Sequence, residues 1–385
     1  MTQLQKPRIL IITRNLPPLV GGMERLNWHM AEELGKRAKV RLIGPAGAAA
    51  MAPPNVQVLE VPLKPLTRFL LMALWAAWRI ARTWRPHTVL AGSGLTAPPA
   101  WLAARFCGAS SAVYAHGLDL AIRHPLYRAL WLPAIRRMDR VIANSRATER
   151  LAVDAGVDSS RIAIVHPGVD ITTQPPDESA DSHFRAELGL ADSPVLLSVG
   201  RLTRRKGLRE FVTEVLPHIV AARPEVVLLI VGDAPRQALS AEPQTRESIQ
   251  SAADAEGVGK HIRFLGVITD RERLATVYRA ADVHVFPVQQ IAGDPEGFGM
   301  VAIEAAAQGL PTVAYATGGV VDAVAPGQSG RLVPPGDGPA MAQAIEETLA
   351  ERETLRNTCR AFAENFSWFR FGAAMADALG LRDPG

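Results

Sequence analysis

The sequence predicts an α/β protein built from two doubly wound, parallel-sheet domains, and three observations carry that prediction. Short apolar, β-branched runs alternate with helical stretches in both halves of the chain. Near-continuous apolar strands separated by helices are the mark of parallel sheets covered on both faces. A polar, proline-rich stretch, Thr172–Ser193, interrupts the alternation near the middle and reads as a linker around one short helical piece. The length, 385 residues, corresponds to two domains at roughly 150 residues each. With 48% apolar and 21% charged residues, the composition excludes wholesale disorder.

Taken in order, the first domain (1–171) has expected strands at Arg8–Thr13, Lys39–Ile43, Val56–Val61, Thr88–Ala91, Ala112–Ala115, Arg140–Ala143 and Ile162–Val165. The second (194–366) has them at Val195–Val199, Val226–Val231, Ile262–Leu265, Val283–Phe286 and Thr312–Tyr315. No repeat and no low-complexity tract interrupts either set. The helix Leu66–Trp84 stands apart. Its uncharged stretch, Phe69–Trp78, is ten residues, half of the roughly 20 needed to span a bilayer. Three tryptophans flanked by Arg68, Arg79, Arg82 and Arg85 suit a helix lying at a membrane surface instead. A second Trp- and Arg-bearing stretch, Ile122–Arg140, is read the same way, as a cationic helical surface.

Charge sharpens that reading. The net charge is only +4, but residues 1–170 hold 22 Lys/Arg against 10 Asp/Glu, whereas the remainder holds 20 against 28. Such asymmetry points to a polyanionic partner for the first half, a membrane surface or nucleic acid. Two cysteines, Cys107 and Cys359, make neither a disulfide framework nor a thiolate zinc site, and suit a reducing cytoplasm. The polar start, Met1–Arg8, lacks the apolar core of a signal peptide.

Four motifs carry chemistry. Gly21-Gly22 follows the first strand and opens a helix (Glu24–Leu34); exposed N–H groups at a helix N-terminus make an anion site. His116-Gly117 lies at a strand's C-terminal end, where open parallel sheets bind ligands. Its imidazole can meet a sugar hydroxyl or a reacting group. Arg201 and Lys206, five residues apart with Gly207 to turn the loop, supply a guanidinium fork and a point charge for phosphate oxygens. Most specific is Glu296-Gly297-Phe298-Gly299-Met300-Val301-Ala302-Ile303-Glu304. Its glycines lead into a helix. Glu304 falls among Ala, Ile and Val, where a carboxylate needs hydrogen-bond partners, and a vicinal diol, such as that of ribose, would satisfy it.

Together these motifs resemble the retaining GT-B glycosyltransferases of family 4, and the likeness covers nearly the whole chain. Its centre is the family's Glu-x7-Glu signature, here Glu296 and Glu304, with Arg201…Lys206, Gly21-Gly22 and His116-Gly117 in the family's order. The resemblance implies two Rossmann-like domains facing across a cleft, an acceptor domain first and a nucleotide-sugar domain second. The helix within 367–385 would return to the first domain. It further implies that Glu304 binds the ribose diol and that Arg201 and Lys206 hold the diphosphate. Glu296 and the backbone at Phe298, Gly299, Met300 and Val301 would meet the donor sugar and phosphate. His116 would act at the reacting sugar, and Gly21-Gly22 would approach the diphosphate. No cofactor is expected and no metal, since no Asp-x-Asp stands beside a strand. The partners implied are a nucleotide-sugar donor and a glycan or lipid-linked acceptor, at the cytoplasmic face of the membrane. The chain looks most like bacterial mannosyl- and rhamnosyltransferases of surface-polysaccharide assembly, which favours a GDP-sugar over a UDP-sugar.

Three rival readings fare less well. Gly92-Ser93-Gly94-Leu95-Thr96-Ala97 matches a dinucleotide fingerprint, but it follows a later strand and runs into Pro98-Pro99. A nucleotide-sugar epimerase shares the fold class. A basic membrane- or nucleic-acid-binding module leaves Glu296 and Glu304 without a purpose, and no nucleic-acid partner is expected.

Overall fold

The computed structural model describes residues 6–171, 177–235 and 242–381. The chain divides into two compact units, residues 1–168 with 367–385, and residues 169–366. In the first unit seven strands form one parallel sheet: β1 (Arg8–Ile12), β2 (Lys39–Pro45), β3 (Val56–Val61), β4 (Thr88–Ala91), β5 (Ser110–Ala115), β6 (Arg140–Ala143) and β7 (Ile162–Ile164). Their order is β3-β2-β1-β4-β5-β6-β7. In the second unit β8 (Val195–Val199), β9 (Val227–Val231), β10 (Ile262–Gly266), β11 (Val283–Phe286), β12 (Thr312–Tyr315) and β13 (Gly330–Val333) run in the order β10-β9-β8-β11-β12-β13, again all parallel. Both are Rossmann-like sheets. In each, chain progression reverses beside the first strand, which opens a crevice at the strands' carboxyl ends.

The apolar runs become central strands because both of their faces are covered. Leu10 and Ile12 pack with Phe69, Ala73 and Ala100 in the first unit, and Ile9 and Ile11 are equally inaccessible to solvent. The helix Gly22–Arg37 packs against the helix Trp368–Ala378, so the end of the chain does return to the first unit. Glu33, buried at this contact, is paired with Lys36 and with Arg37 at 3.2 Å.

Three sequence expectations need correction. Ile122–Arg140 is not one helix. Pro125 and Pro133 each stand at a helix start, so the stretch breaks into Pro125–Leu130 and Leu132–Arg136, and Arg140 already belongs to β6. Leu132, Ala134 and Ile135 are buried in the core, while Leu126, Leu130 and the arginines of the stretch are exposed. Second, the short helical piece foreseen within the linker is present, but it belongs to the second unit's core rather than to a free connection. Helix Glu178–Glu187 docks Phe184 beside Leu190, Val195 and Leu229 in the second unit's core. Within the expected linker, Thr172–Pro176 lie outside the described residues. Third, β13 was not foreseen, because four residues containing Arg331 carry no apolar run of their own.

Candidate functional site

The second unit's crevice lies where β8 and β11 are neighbours. The loop after β8 carries Arg201 to Gly207, and the loop after β11 runs from Pro287 to Gly299. Gln289 N–H donates to the Arg205 carbonyl at 2.8 Å and fixes one loop against the other. Gly207 makes the approach possible. It takes φ 67°, and a Cβ there would stand 2.0 Å from the Pro287 carbonyl oxygen.

This juxtaposition gathers charges far apart in sequence. Lys206 Nζ donates to Glu296 Oε2 at 2.9 Å, and an Arg205 guanidinium nitrogen donates to the same oxygen at 2.5 Å. Arg205 Nε also pairs with Asp294 at 3.4 Å. Arg201 is exposed beside them and has no ion-pair partner among the described residues. Burial alone would push the Glu296 carboxyl up, but Arg205, then Lys206 and Arg201, pull it down to about 2. It is a carboxylate throughout the neutral range. Lys206 is held below the usual lysine range by burial, only partly offset by Glu296. Its ammonium also lies 4.6 Å from the Phe286 ring centroid, a cation–π distance. Three cations thus face two carboxylates, which leaves the cluster able to accept an added anion.

Glu304 sits in the helix Met300–Ala307, which Gly299 caps and whose first residues are Met300 and Val301. The buried Tyr278 hydroxyl donates to Glu304 Oε2 at 3.2 Å. Phe298 turns its side chain into the core beside Phe366, so only its backbone is offered to the loop. The loop is gripped from β12's carboxyl end: Gly319 N–H donates to the Glu296 carbonyl at 2.9 Å. A Cβ on Gly319 would stand 2.0 Å from the Gly297 oxygen. His284, fully buried under the cluster, bonds Thr312 through Nδ1 at 3.1 Å and stacks on Phe286. Burial, and secondarily Lys206, pushes its pKa down to about 3, so the ring is neutral.

The first unit holds the other two motifs. His116 Nε2 lies 2.9 Å from the Gly92 carbonyl. A carbonyl only accepts, so Nε2 carries the proton and a neutral ring keeps its lone pair on Nδ1. The His116 backbone N–H donates to Asp119, and through the Gly92 carbonyl the glycine-rich stretch at 92–97 holds the ring. Gly21 and Gly22 stand at the cap and first residue of helix Gly22–Arg37, where Glu24 accepts from Asn15 at 2.8 Å.

The structure therefore brings Lys206 and Glu296 into direct contact, with Arg201 alongside, and places Glu304 on the helix that their loop enters. Arg205 and Asp294 lie within the motif stretches but were given no role there, and Tyr278, His284 and Gly318-Gly319 escaped the sequence reading. The last pair carried a legible signal, a Gly-Gly after a strand like Gly21-Gly22. Among the described residues no His/Cys/Asp/Glu group is arranged to hold a metal ion.

Residues 20–173 match the family described as Glycosyltransferase Family 4, and residues 181–366 match Glycosyl transferases group 1. The GDP-mannose-dependent alpha-(1-6)-phosphatidylinositol monomannoside mannosyltransferase of Mycolicibacterium smegmatis is 30% identical over 97% of this chain and 98% of its own. The D-inositol 3-phosphate glycosyltransferase of Geodermatophilus obscurus is 38% identical over 61% of this chain, and the match spans only 51% of that relative's length. Among solved structures, Anabaena Alr3699/HepE in complex with UDP superposes with a TM-score of 0.77 at 21% identity, covering 97% of this chain and 99% of that one. The fold, the order of the motifs and the full-length relative agree: the chain belongs to family 4 of the GT-B glycosyltransferases.

Proposed function

We propose that this protein is a retaining, metal-independent hexosyltransferase. In this reading it moves a sugar from a nucleotide diphosphate donor, GDP-mannose or GDP-rhamnose for preference, to a glycan or lipid-linked acceptor in cell-envelope polysaccharide synthesis at the cytoplasmic face of the membrane. The observation that carries the reading is the cluster of Arg201, Arg205 and Lys206 on Glu296, one helix entry away from Glu304. Arg201 and Lys206 would hold the diphosphate, and their preorganised charge would stabilise the leaving group as the glycosidic bond breaks. Lys206 supplies that charge without a metal. Glu304, oriented by Tyr278, would accept from the ribose diol, and Glu296 would accept from donor-sugar hydroxyls while keeping Lys206 in place. In the first unit, His116 would act at the reacting sugar and Gly21-Gly22 would offer N–H groups to the phosphates.

The preference for a guanine nucleotide leans on the full-length relative, whose name states GDP-mannose dependence. A UDP-sugar is the second reading, favoured by the UDP bound in the structural neighbour. Product analysis with each donor in EDTA separates the two: sugar transfer from one donor, with the α-anomer preserved, supports the proposal, and inversion or a strict magnesium requirement refutes that part of it.

A further inference from the structure

The helix Leu66–Trp84 is amphipathic in an unusual sense. Its inward face is mostly small: Ala73, Ala76, Ala77 and Ala81 are buried, with Phe69 and Ile80. Its outward face carries the bulk, with Leu71 68% exposed and Trp75 55% exposed. Leu71, Trp75, Trp78 and Arg82 recur at i, i+4, i+7 and i+11, so they share one stripe. Folding alone does not call for this, since a water-facing helix gains nothing from exposed tryptophan.

The stripe continues onto a second helix. Ala97–Cys107 packs against Leu66–Trp84 through alanines of its own, Ala100, Ala103 and Ala104, and turns Leu102 and Phe106 outward. Trp78 and Phe106 meet across the join with ring centroids 5.7 Å apart. The result is one apolar patch on two helices of a single unit, larger than scattered exposed side chains.

Its border is cationic. Arg79 lies over Trp75, Arg82 over Trp78, and Arg105 and Arg137 over Trp101, all within 6 Å of the ring centroids. Between Glu60 and Asp139 the only acidic residue is Asp119, against ten Lys/Arg, all exposed. Asp119 is occupied with the His116 backbone. No helix among the described residues is long and apolar enough to cross a membrane.

We infer that this face, centred on Leu71, Trp75, Trp78 and Phe106, docks the protein on an anionic bilayer. The aromatic side chains enter the interface and the arginines meet lipid phosphates. Nucleic acid accounts for the arginines but not for exposed Leu71 and Leu102. The excess of exposed Lys/Arg over acidic residues in this segment matches an anionic lipid surface. The inference deepens the proposed function by naming a surface partner, yet it rests on the first unit alone.

The test is co-sedimentation of the full chain with vesicles of phosphatidylcholine alone and of equal parts phosphatidylcholine and phosphatidylglycerol, at low and high salt. Wild type is expected to bind the anionic vesicles at least tenfold more tightly than the neutral ones, less so in high salt. The triple variant Leu71→Ser/Trp75→Ser/Trp78→Ser and the charge reversal Arg79→Glu/Arg82→Glu/Arg105→Glu should each lower binding about tenfold or more. Unchanged thermal midpoints would show that both variants fold, as expected for exposed positions. Quenching of wild-type tryptophan fluorescence by bromolipid vesicles gives a reading that needs no variant. Equal affinity for both vesicles, variants that bind like wild type, absence of quenching, or tighter binding to duplex DNA would each overturn the inference. So would a dimer in sedimentation equilibrium that the Ser variant abolishes. A failed nucleotide titration, by contrast, would touch the donor reading and leave this one standing.

Discussion

Lys206 and Glu296, 90 residues apart in the chain, meet at 2.9 Å between the loops after β8 and β11. Arg205 reaches the same carboxylate oxygen, so Glu296 is neutralised twice. One cation can therefore be given to a substrate without stranding the acid. That redundancy lets the effect of Lys206 on catalysis be separated from its effect on the fold.

Lys206→Ala is expected to lower kcat by roughly 10²–10³, the usual size for loss of one preorganised charge. Because Arg205 still pairs Glu296, the thermal midpoint should move little. Steady-state kinetics and a thermal melt of the same preparation check both halves, and near-normal turnover would contradict the role given to Lys206.

Glu296 makes a pH prediction. Its carboxyl titrates at about 2 in the folded chain against 4.5 ordinarily. A depressed carboxyl stabilises the fold fully above its unfolded value, and that stability is lost as pH falls toward the folded value. The stability gap between wild type and Glu296→Gln should therefore be constant above about pH 5 and shrink from there toward pH 3. Denaturant titrations at several pH values measure it. A gap that does not change with pH would mean the pair is not coupled as the distances indicate.

Tyr278→Phe keeps the buried ring and removes only the hydroxyl that bonds Glu304 at 3.2 Å. A hydrogen bond to a charged group is worth about 1.5–3 kcal/mol. Affinity for the donor nucleoside diphosphate should fall about tenfold or more, while affinity for its 2′-deoxy analogue should hardly change. Equal losses for both nucleotides would show that Tyr278 serves packing rather than the orientation of Glu304.

Gly319→Ala would drive a Cβ to within 2.0 Å of the Gly297 oxygen. Backbone cannot yield as a side chain does, so the loop bearing Glu296 must shift. Overpacking of this kind typically costs about 1–3 kcal/mol of stability, and donor affinity should fall with it. A calorimetric melt and a nucleotide titration read the two effects. Wild-type values in both would show that the loop is not held by this contact.

Much of the fold was legible because parallel strands covered on both faces need continuous apolar runs, and Val195–Val199 or Val283–Phe286 show them openly. β13 was hidden because β12 supplies its pairing partner and Arg331 breaks its pattern. The candidate site divides in the same way. Lys206, Glu296 and Glu304 announce themselves through spacing beside glycines. Tyr278 and Arg205 do not, because each acquires its role from a partner 26 or 91 residues away. Trp75 and Trp78 were legible as surface-seeking, whereas Trp131 was not: it lies between two short helices, the second with Pro133 in its first turn, and its indole N–H is committed to the Leu95 carbonyl at 2.9 Å.

The central claim is that the second unit binds a nucleoside diphosphate through cations and Glu304 without a metal. Calorimetric titration of GDP and UDP into wild type and Glu304→Ala, in EDTA and then in magnesium, tests it most directly. The account predicts that one diphosphate binds in EDTA, that magnesium leaves its affinity unchanged, and that Glu304→Ala loses it. Binding of neither diphosphate, or binding that appears only with magnesium, would contradict it.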